Sequence, residues 1–394
     1  MISFDEALAL VRAAAAPIGT EKVSLDEAAS RVLASAVTAG IDSPRSAVSA
    51  MDGYAIRDSD LTATPARLNV VGESFAGRRW HGAIQAGECV RIFTGAPVPD
   101  GADRVVMQEN VERDGEWAVI NAHPGAATHI RKRGGDFAAG DVLVPSGRVL
   151  GARALVAAAG ADMAQLEVSR RPTVRILSTG DELAEPGSAA ASEDRIPESV
   201  SIGVGAMATA WGAQVLGRKR LADDLEAMKK AAVTAAEEAD VVVVTGGASV
   251  GDKDFAKPMF EPAGLELVFS KVAIKPGKPV WLGRAGKALV VGLPGNPTSA
   301  LVTARLFLVP LLAGITGRKP DLLEWRQLPL GTALPASGGR ETFHRARRSQ
   351  GRAEILSFQD SSAQKALVDA DLLVRQRPHS EAMAPGTMVE VLDF

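Results

Sequence analysis

Five carboxylates and three lysines, set beyond short apolar runs, are the residues of this chain best placed to do chemistry. Asp181 and Glu182 follow the run 174–177 through Ser178-Thr179-Gly180. Asp252 and Asp254 follow the run 241–244, four consecutive valines, through Thr245-Gly246-Gly247, with Ser249 between. Asp223 lies between these two loops. Lys271, Lys275 and Lys278 belong to KVAIKPGKP, a loop that Pro276 and Pro279 stiffen and Gly277 lets turn. A fourth loop, Gly292-Leu293-Pro294-Gly295-Asn296-Pro297-Thr298, separates a strand from a helix. Asn296 or Thr298 can cap that helix and leave backbone N–H groups for an anion.

Lysines and helix N-termini suit phosphate. Carboxylates beside a phosphate repel it unless a divalent cation sits between them, and oxygen-only ligands point to Mg²⁺ rather than zinc. The five histidines are scattered, and no Ser/His/Asp or Cys/His set is visible. Catalysis would therefore rest on metal, positioning and charge stabilisation. The reading from the residues is a Mg²⁺-dependent site for a phosphorylated or nucleotidyl ligand. Each loop taken singly also reads as ordinary strand–helix punctuation.

Positioning these residues requires a sheet. A short apolar run bounded by turn residues reads as a strand buried on both faces. Two strand–Thr-Gly–acid units with helical sequence between them predict neighbouring parallel strands whose carboxyl ends share one crevice. Strand and helix alternate from about Pro172: strands 174–177, 214–216 and 241–244, helices near 200–212 and 223–238, short strands near 279–282 and 288–291, and a helix over 298–312. This is a doubly wound α/β domain over 173–321. Before it, 39–140 reads as a β-rich domain of short strands (69–71, 89–93, 104–107, 117–120). The segments 1–38 and 141–172 form a further helical, elongated part. It has helices over 2–16, opened by the capping-box pair Ser3 and Glu6, over 24–33, where Ser24 and Glu27 repeat that spacing, and over 152–160. Residues 322–394 predict a small C-terminal β domain with strands 354–358, 371–374 and 387–392 and no helix. The fold class is thus multidomain, α+β with α/β.

At 394 residues and 46% apolar content the chain can bury real cores. Its 44 basic and 47 acidic residues argue against a nucleic-acid binder held by phosphate contacts. The basic clusters Arg131-Lys132-Arg133, Arg218-Lys219-Arg220 and Arg345 with Arg347-Arg348 read as solvated faces. Cys89, the only cysteine, reads as a small core residue. An acidic N-terminus without a signal peptide predicts a cytoplasmic protein. No apolar run approaches the roughly 18 residues of a spanning helix, so no membrane association is expected. Gly203-Val204-Gly205-Ala206-Met207-Ala208 fits the dinucleotide fingerprint, but Pro-, Ser- and acid-rich sequence precedes it where a buried strand is required. Its glycines read as helix-packing positions.

Six motifs carry a resemblance: SAMDGYA (49–55), TGAPVP (94–99), TGDEL (179–183), TGGASVGDKDF (245–255), KVAIKPGKP (271–279) and GLPGNP (292–297). In order and spacing the chain resembles, over essentially its whole length, the bacterial MoeA-type molybdopterin molybdenumtransferases, related to the C-terminal domain of gephyrin. The resemblance implies a central MogA-like molybdopterin-binding domain and a barrel-like C-terminal domain. It implies insertion of molybdate into adenylylated molybdopterin with release of AMP, and an elongated homodimer. The cleft then lies between the α/β domain of one subunit and the β region of the other. Carried over by motif, Asp52, Thr94 and Asp136 come from the second subunit. Asp52, Asp136, Glu182, Asp223, Asp254 and Lys275 are implied as catalytic, with Glu182, Asp223 and Asp254 holding Mg²⁺. Thr94, Thr179, Gly180, Gly246, Gly247, Ser249, Lys271, Lys275, Lys278, Pro294, Gly295, Asn296 and Pro297 are implied to bind the cofactor precursor. The preceding adenylyltransferase and recipient molybdoenzymes are the implied partners.

Three positions depart from the family pattern: Val200 replaces an amide, Gly135 a glutamate and Asp371 an amide. Two function classes stay open, an active transferase and a non-catalytic carrier or scaffold. A nucleotidyltransferase of the preceding adenylylation step is a third.

Overall fold

A computed structural model describes residues 1–247, 255–319 and 323–394. Ser249, Asp252 and Asp254 lie outside the described residues.

The four valines form the central strand Val241–Thr245, and all four are fully buried. Burying each contributes roughly 1.5–3 kcal/mol. Parallel neighbours flank it, Thr173–Thr179 on one side and Ala288–Leu293 on the other. Gln214–Leu221 lies parallel outside Thr173–Thr179, while Trp281–Ala285 and then Glu266–Phe269 complete the other side through antiparallel pairings. Side chains alternate in direction along a strand. Val241 and Val243 therefore pack with helix Val200–Ala210, the run after Pro297 and the N-terminal helix. Val242 and Val244 pack with Leu225–Glu238 and the turn Pro258–Ala263. The cluster Arg218-Lys219-Arg220 lies on the edge strand, where charge discourages further strand pairing.

Several expectations meet tertiary structure. The capping box forms: Ser3 and Glu6 bond reciprocally at the start of helix Phe4–Ala14. Asp224 caps Leu225–Glu238 by accepting from Glu226 N–H at 3.0 Å and Ala227 N–H at 3.3 Å. The helix expected over 24–33 does not form. Ser24 and Glu27 do bond to each other, but Thr20–Ser24 is a strand paired with Gln165–Ser169. Ser30 has φ +62°, and Leu33 N–H donates to Arg148 O, so long-range partners override local helix propensity. The dinucleotide-like glycines lie inside Val200–Ala210. A Cβ on Gly203 would sit 3.2 Å from Leu301, and one on Gly205 would sit 3.4 Å from Ile176, as helix packing requires.

The helix expected over 298–312 is part of a longer helical run, Pro297–Thr303, a π-helical turn Ala304–Leu308, and Val309–Thr316. Together they make a 20-residue apolar stretch of mean hydropathy 1.7, long enough to cross a membrane, contrary to expectation. It is 89% buried and forms the middle of the α/β core, which accounts for its composition.

The β-rich part is a six-stranded sheet ordered Arg104–Met107, Gly53–Ile56, Glu88–Ile92, Ala66–Ser74, Trp117–Ile120, Val111–Asp114. Cys89 is fully buried in it, and burial pushes its thiol up to about 12. Helix Ala152–Gly160 forms as expected. The C-terminal part is a sheet of Glu341–Ser349, Leu372–Gln376, Met388–Asp393 and Arg326–Pro329. Arg352–Ile355 pairs with Glu341–Ser349; Arg326–Pro329 and Glu341–Ser349 are strands beyond the three expected, and the one-turn helix Lys365–Val368 forms where no helix was expected. Ile274–Lys275, from the lysine loop of the α/β domain, adds a parallel strand to Glu341–Ser349.

Phe4 joins three parts of the molecule. Its ring meets Phe307 of the α/β core at 5.8 Å and Phe343 of the C-terminal sheet at 5.0 Å, both edge-on. Arg375 over Phe4 pairs with Asp5 at 2.8 Å and also with Glu341. Truncating a buried phenylalanine costs about 3–5 kcal/mol. Phe4→Ala is therefore expected to lower the urea midpoint by an amount equivalent to that range. A midpoint within about 0.5 kcal/mol of the parent would contradict a joining role for Phe4.

Candidate active site

All four parallel strands end on the same side of the sheet, and the loops that follow them line a cavity of about 670 Å³. Its walls are Thr179, Gly180, Glu182 and Leu183 after one strand, Thr245, Gly246 and Gly247 after the next, Pro294–Pro297 after the third, and Asp223 after the edge strand. Residues 196–200, at the start of helix Val200–Ala210, form a further wall with Pro279. This is the crevice at strand carboxyl ends where open α/β sheets place ligands.

Glycines let these loops meet. Gly246 has φ +89°, and a Cβ there would lie 2.5 Å from Thr179 O. A Cβ on Gly295 would touch Gly246 Cα at 3.4 Å. Thr179 is buried and its hydroxyl donates to Thr245 O at 3.3 Å, so it ties two strand ends together.

The acids are held by backbone. Asp223 N–H donates to Asp181 Oδ1 at 3.0 Å, which joins two of the strand-end loops. The Glu182 turn is anchored where Ile196 N–H donates to Glu182 O at 2.8 Å, and where Arg195 and Arg220 both donate to Leu183 O. The Glu182 carboxylate lies where a Cβ of Gly180 would be. Glu198, absent from the sequence-based site, is buried. It accepts from Ser201 N–H at 2.8 Å and from the Ser201 hydroxyl, securing the start of the helix. Val200, one of the departures, is 8% exposed and lines the cavity. The described lining thus has three carboxylates and no lysine, arginine or histidine. Among the described residues, no group of three or more His, Cys, Asp or Glu is close enough together to hold a metal.

The C-terminal part supplies a wall that the motifs did not reveal. Ser362 and Gln364 line the cavity. Asn296 occupies the helix cap position without a capping bond; its amide donates to Ser361 Oγ at 2.9 Å. Thr298 N–H donates to Ser361 O at 3.1 Å and its hydroxyl to Ala363 O at 3.2 Å. The Thr298 N–H is therefore spent on this docking rather than left for an anion. Arg345 is 1% exposed rather than on a solvated face. It donates to Thr298 Oγ1 at 3.3 Å and Asp360 O at 3.0 Å, and burial lowers its pKa. Strand alternation with buried Phe343 was the available signal for it.

Other expected site residues lie apart. Lys271, Lys275 and Lys278 are exposed, and of their loop only Pro279 lines the cavity. Gly277 has φ +99°, and a Cβ on it would collide with Thr303 at 2.2 Å. Asp52 and Thr94 meet on the β-rich part, where Thr94 N–H and Oγ1 donate to Asp52 Oδ1 at 2.7 and 2.8 Å. The loop after Ile130–Arg131, which carries exposed Asp136, joins the same platform through pairing with Val48–Ser49. None of these three lines the crevice. Gly135 N–H donates to Lys132 O in a turn, and Asp371 accepts from Arg348 N–H at 3.1 Å, away from the crevice.

Comparison with known proteins follows the same division. Residues 2–161 match the family model described as the MoeA N-terminal region (domain I and II), 175–314 a probable molybdopterin binding domain, and 327–394 the MoeA C-terminal region (domain IV). A Haemophilus influenzae protein named molybdopterin molybdenumtransferase is 35% identical over 96% of this chain and 95% of its own. A protein of that name from Synechococcus elongatus is 32% identical over 99% of both. The crystal structure of a molybdopterin biosynthesis moeA protein from Pyrococcus horikoshii OT3 superposes with TM-score 0.87 at 27% identity over 100% of both chains.

The two Thr94 donors, then the charge of Arg91, hold the Asp52 carboxyl below its ordinary value. Removing one donor destabilises the charged form. Thr94→Val is therefore expected to raise the Asp52 pKa, read from its carboxyl ¹³C shift against pH, while Thr94→Ser leaves it low. An unmoved titration in Thr94→Val would contradict this assignment.

Proposed function

The chain belongs to the MoeA family, and from that membership we propose that it inserts molybdate into adenylylated molybdopterin, releasing AMP and mature molybdenum cofactor in a Mg²⁺-dependent reaction. The observation that carries this reading is the charge of the crevice: three carboxylates and no cationic side chain in its described lining. A substrate bearing phosphate, approached by an oxyanion, needs counter-charge there. Glu182 and Asp223 line the same cavity and offer only oxygen, a donor set that fits Mg²⁺. With Asp254 they would hold the ion. When bound, it neutralises phosphate oxygens and polarises the phosphoryl centre.

The rest is positioning by this chain's own groups. Gly246 and Gly247 allow a ligand to approach the backbone, and by the family motif Ser249 would offer a further donor. Asn296, Ser362 and Gln364 add polar groups to the lining. Lys271, Lys275 and Lys278 are available to attract phosphate and molybdate from their exposed loop. Asp52, Thr94 and Asp136 would complete the site from a second copy of the chain, in a homodimer. This cytoplasmic reading includes transfer from the preceding adenylyltransferase and onward to recipient molybdoenzymes, with no nucleic acid or membrane.

The non-catalytic carrier reading draws on Val200, an apolar side chain on the crevice wall. Asp371 gives it no support, since its carboxylate serves Arg348. The deciding experiment supplies purified protein with adenylylated molybdopterin, Mg²⁺ and molybdate, and follows AMP. Molybdate-dependent release is expected, lost on chelation, and lowered about 100-fold or more in Asp223→Ala and in Asp254→Ala. Tight binding of the substrate without AMP release would leave the carrier reading in its place.

A further inference from the structure

Arg91 stands directly opposite Tyr54 in the antiparallel pairing of Glu88–Ile92 with Gly53–Ile56. Its guanidinium lies over two rings, 5.0 Å from the Tyr54 centroid and 4.9 Å from that of Phe93. Phe93 in turn stacks on Phe75 at 4.5 Å, and Arg78 covers Phe75. In contact with both rings, the fork of Arg91 meets two acceptors. Nη1 donates to Gly53 O at 3.0 Å and Nη2 to Gln108 Oε1 at 2.5 Å. The peptide N–H of Gln108 donates to Asp52 O at 3.0 Å. The carbonyls of Asp52 and Gly53 are thus both tied, one through Gln108 and one directly, to a single guanidinium.

The same group also reaches the residue beside the other half of the Asp52–Thr94 pair, since Phe93 immediately precedes Thr94. Gly53 removes slack from the turn: a Cβ there would lie 2.0 Å from Val106 O. We propose that Arg91 is a positioning residue for the reaction, a clamp that fixes the Asp52 turn and the Thr94 loop against each other so that the Asp52 carboxylate keeps one orientation. The inference rests on the reading that Asp52 meets substrate. A planar fork that meets two rings and two acceptors at once does this where a flexible ammonium does not.

The test is the AMP-release assay on the full chain. Arg91→Ala is expected to lower kcat by about 10- to 100-fold with KM for molybdate within about twofold, because the lost element is orientation. Arg91→Lys, which keeps the charge but not the fork, is expected to recover little of the rate. The double variant Asp52→Ala/Arg91→Ala is expected to turn over within about twofold of Asp52→Ala alone, since the clamp acts through Asp52. A merely structural role would instead make the two losses multiply. Multiplying losses, full rescue by Arg91→Lys, or a parental rate in Arg91→Ala would each overturn the proposal. If Arg91→Ala does not fold, as judged by near-UV dichroism, Gln108→Ala at an exposed position takes its place. It is expected to lower kcat several-fold at unchanged KM, and a parental kcat there overturns the clamp. A parental rate in Asp52→Ala overturns both the role of Asp52 and the clamp built on it. Clamp failure alone leaves Asp52→Ala slow.

Discussion

The crevice depends on one close backbone approach. Strand Val241–Thr245 ends beside Thr173–Thr179, and Gly246 turns over the Thr179 carbonyl with no space for a side chain. Gly295 comes down on Gly246 from the third strand. Any Cβ at Gly246 would push these strand ends apart, and with them the residues carried just beyond. The order of cause runs from composition outward. Four valines demand burial on both faces, helices cover them, and parallel strands then end together. Glycine lets their loops close into one wall, so the site follows from the core.

Charge is arranged on this frame by separate anchors. Asp181 is engaged with the Asp223 peptide, and Glu198 with Ser201. Glu182 differs: its backbone is pinned on both sides, while among the described residues its carboxylate accepts no hydrogen bond. The C-terminal part is docked on the Pro297 helix through Asn296, Thr298 and the buried Arg345, and this places Ser362 and Gln364 in the cavity. Breaking a buried charge-assisted contact of this kind costs more than a surface pair, so the wall is not loosely appended.

What could be read in the sequence was whatever local chemistry controls. The Ser3–Glu6 box, the four-valine strand and the paired Thr-Gly loops carry their instructions within a few residues, and the structure has them in place. What could not be read depends on partners far along the chain. Residues 24–33 have the capping pattern of a helix, but Gln165–Ser169 claims Thr20–Ser24 as a strand. Asn296 and Thr298 look like caps, yet they bond to residues 65 positions away. Arg345 looked like surface because its neighbours Arg347 and Arg348 are surface. Its own position in the alternation points inward beside Phe343.

The crevice and the Asp52–Thr94 platform carry their acids differently. Placing Glu182 and Asp223 on one cavity with a third carboxylate nearby raises the energy of the empty crevice, since like charges in a partly desolvated space repel. The Asp52–Thr94 platform is built on the opposite principle. There the carboxylate is already satisfied by two hydrogen bonds and a nearby guanidinium, and what the fold secures is direction rather than tension. One acidic surface gathers carboxylates around a cavity and the other holds a single carboxylate in a set orientation, a division that composition and net charge alone could not display.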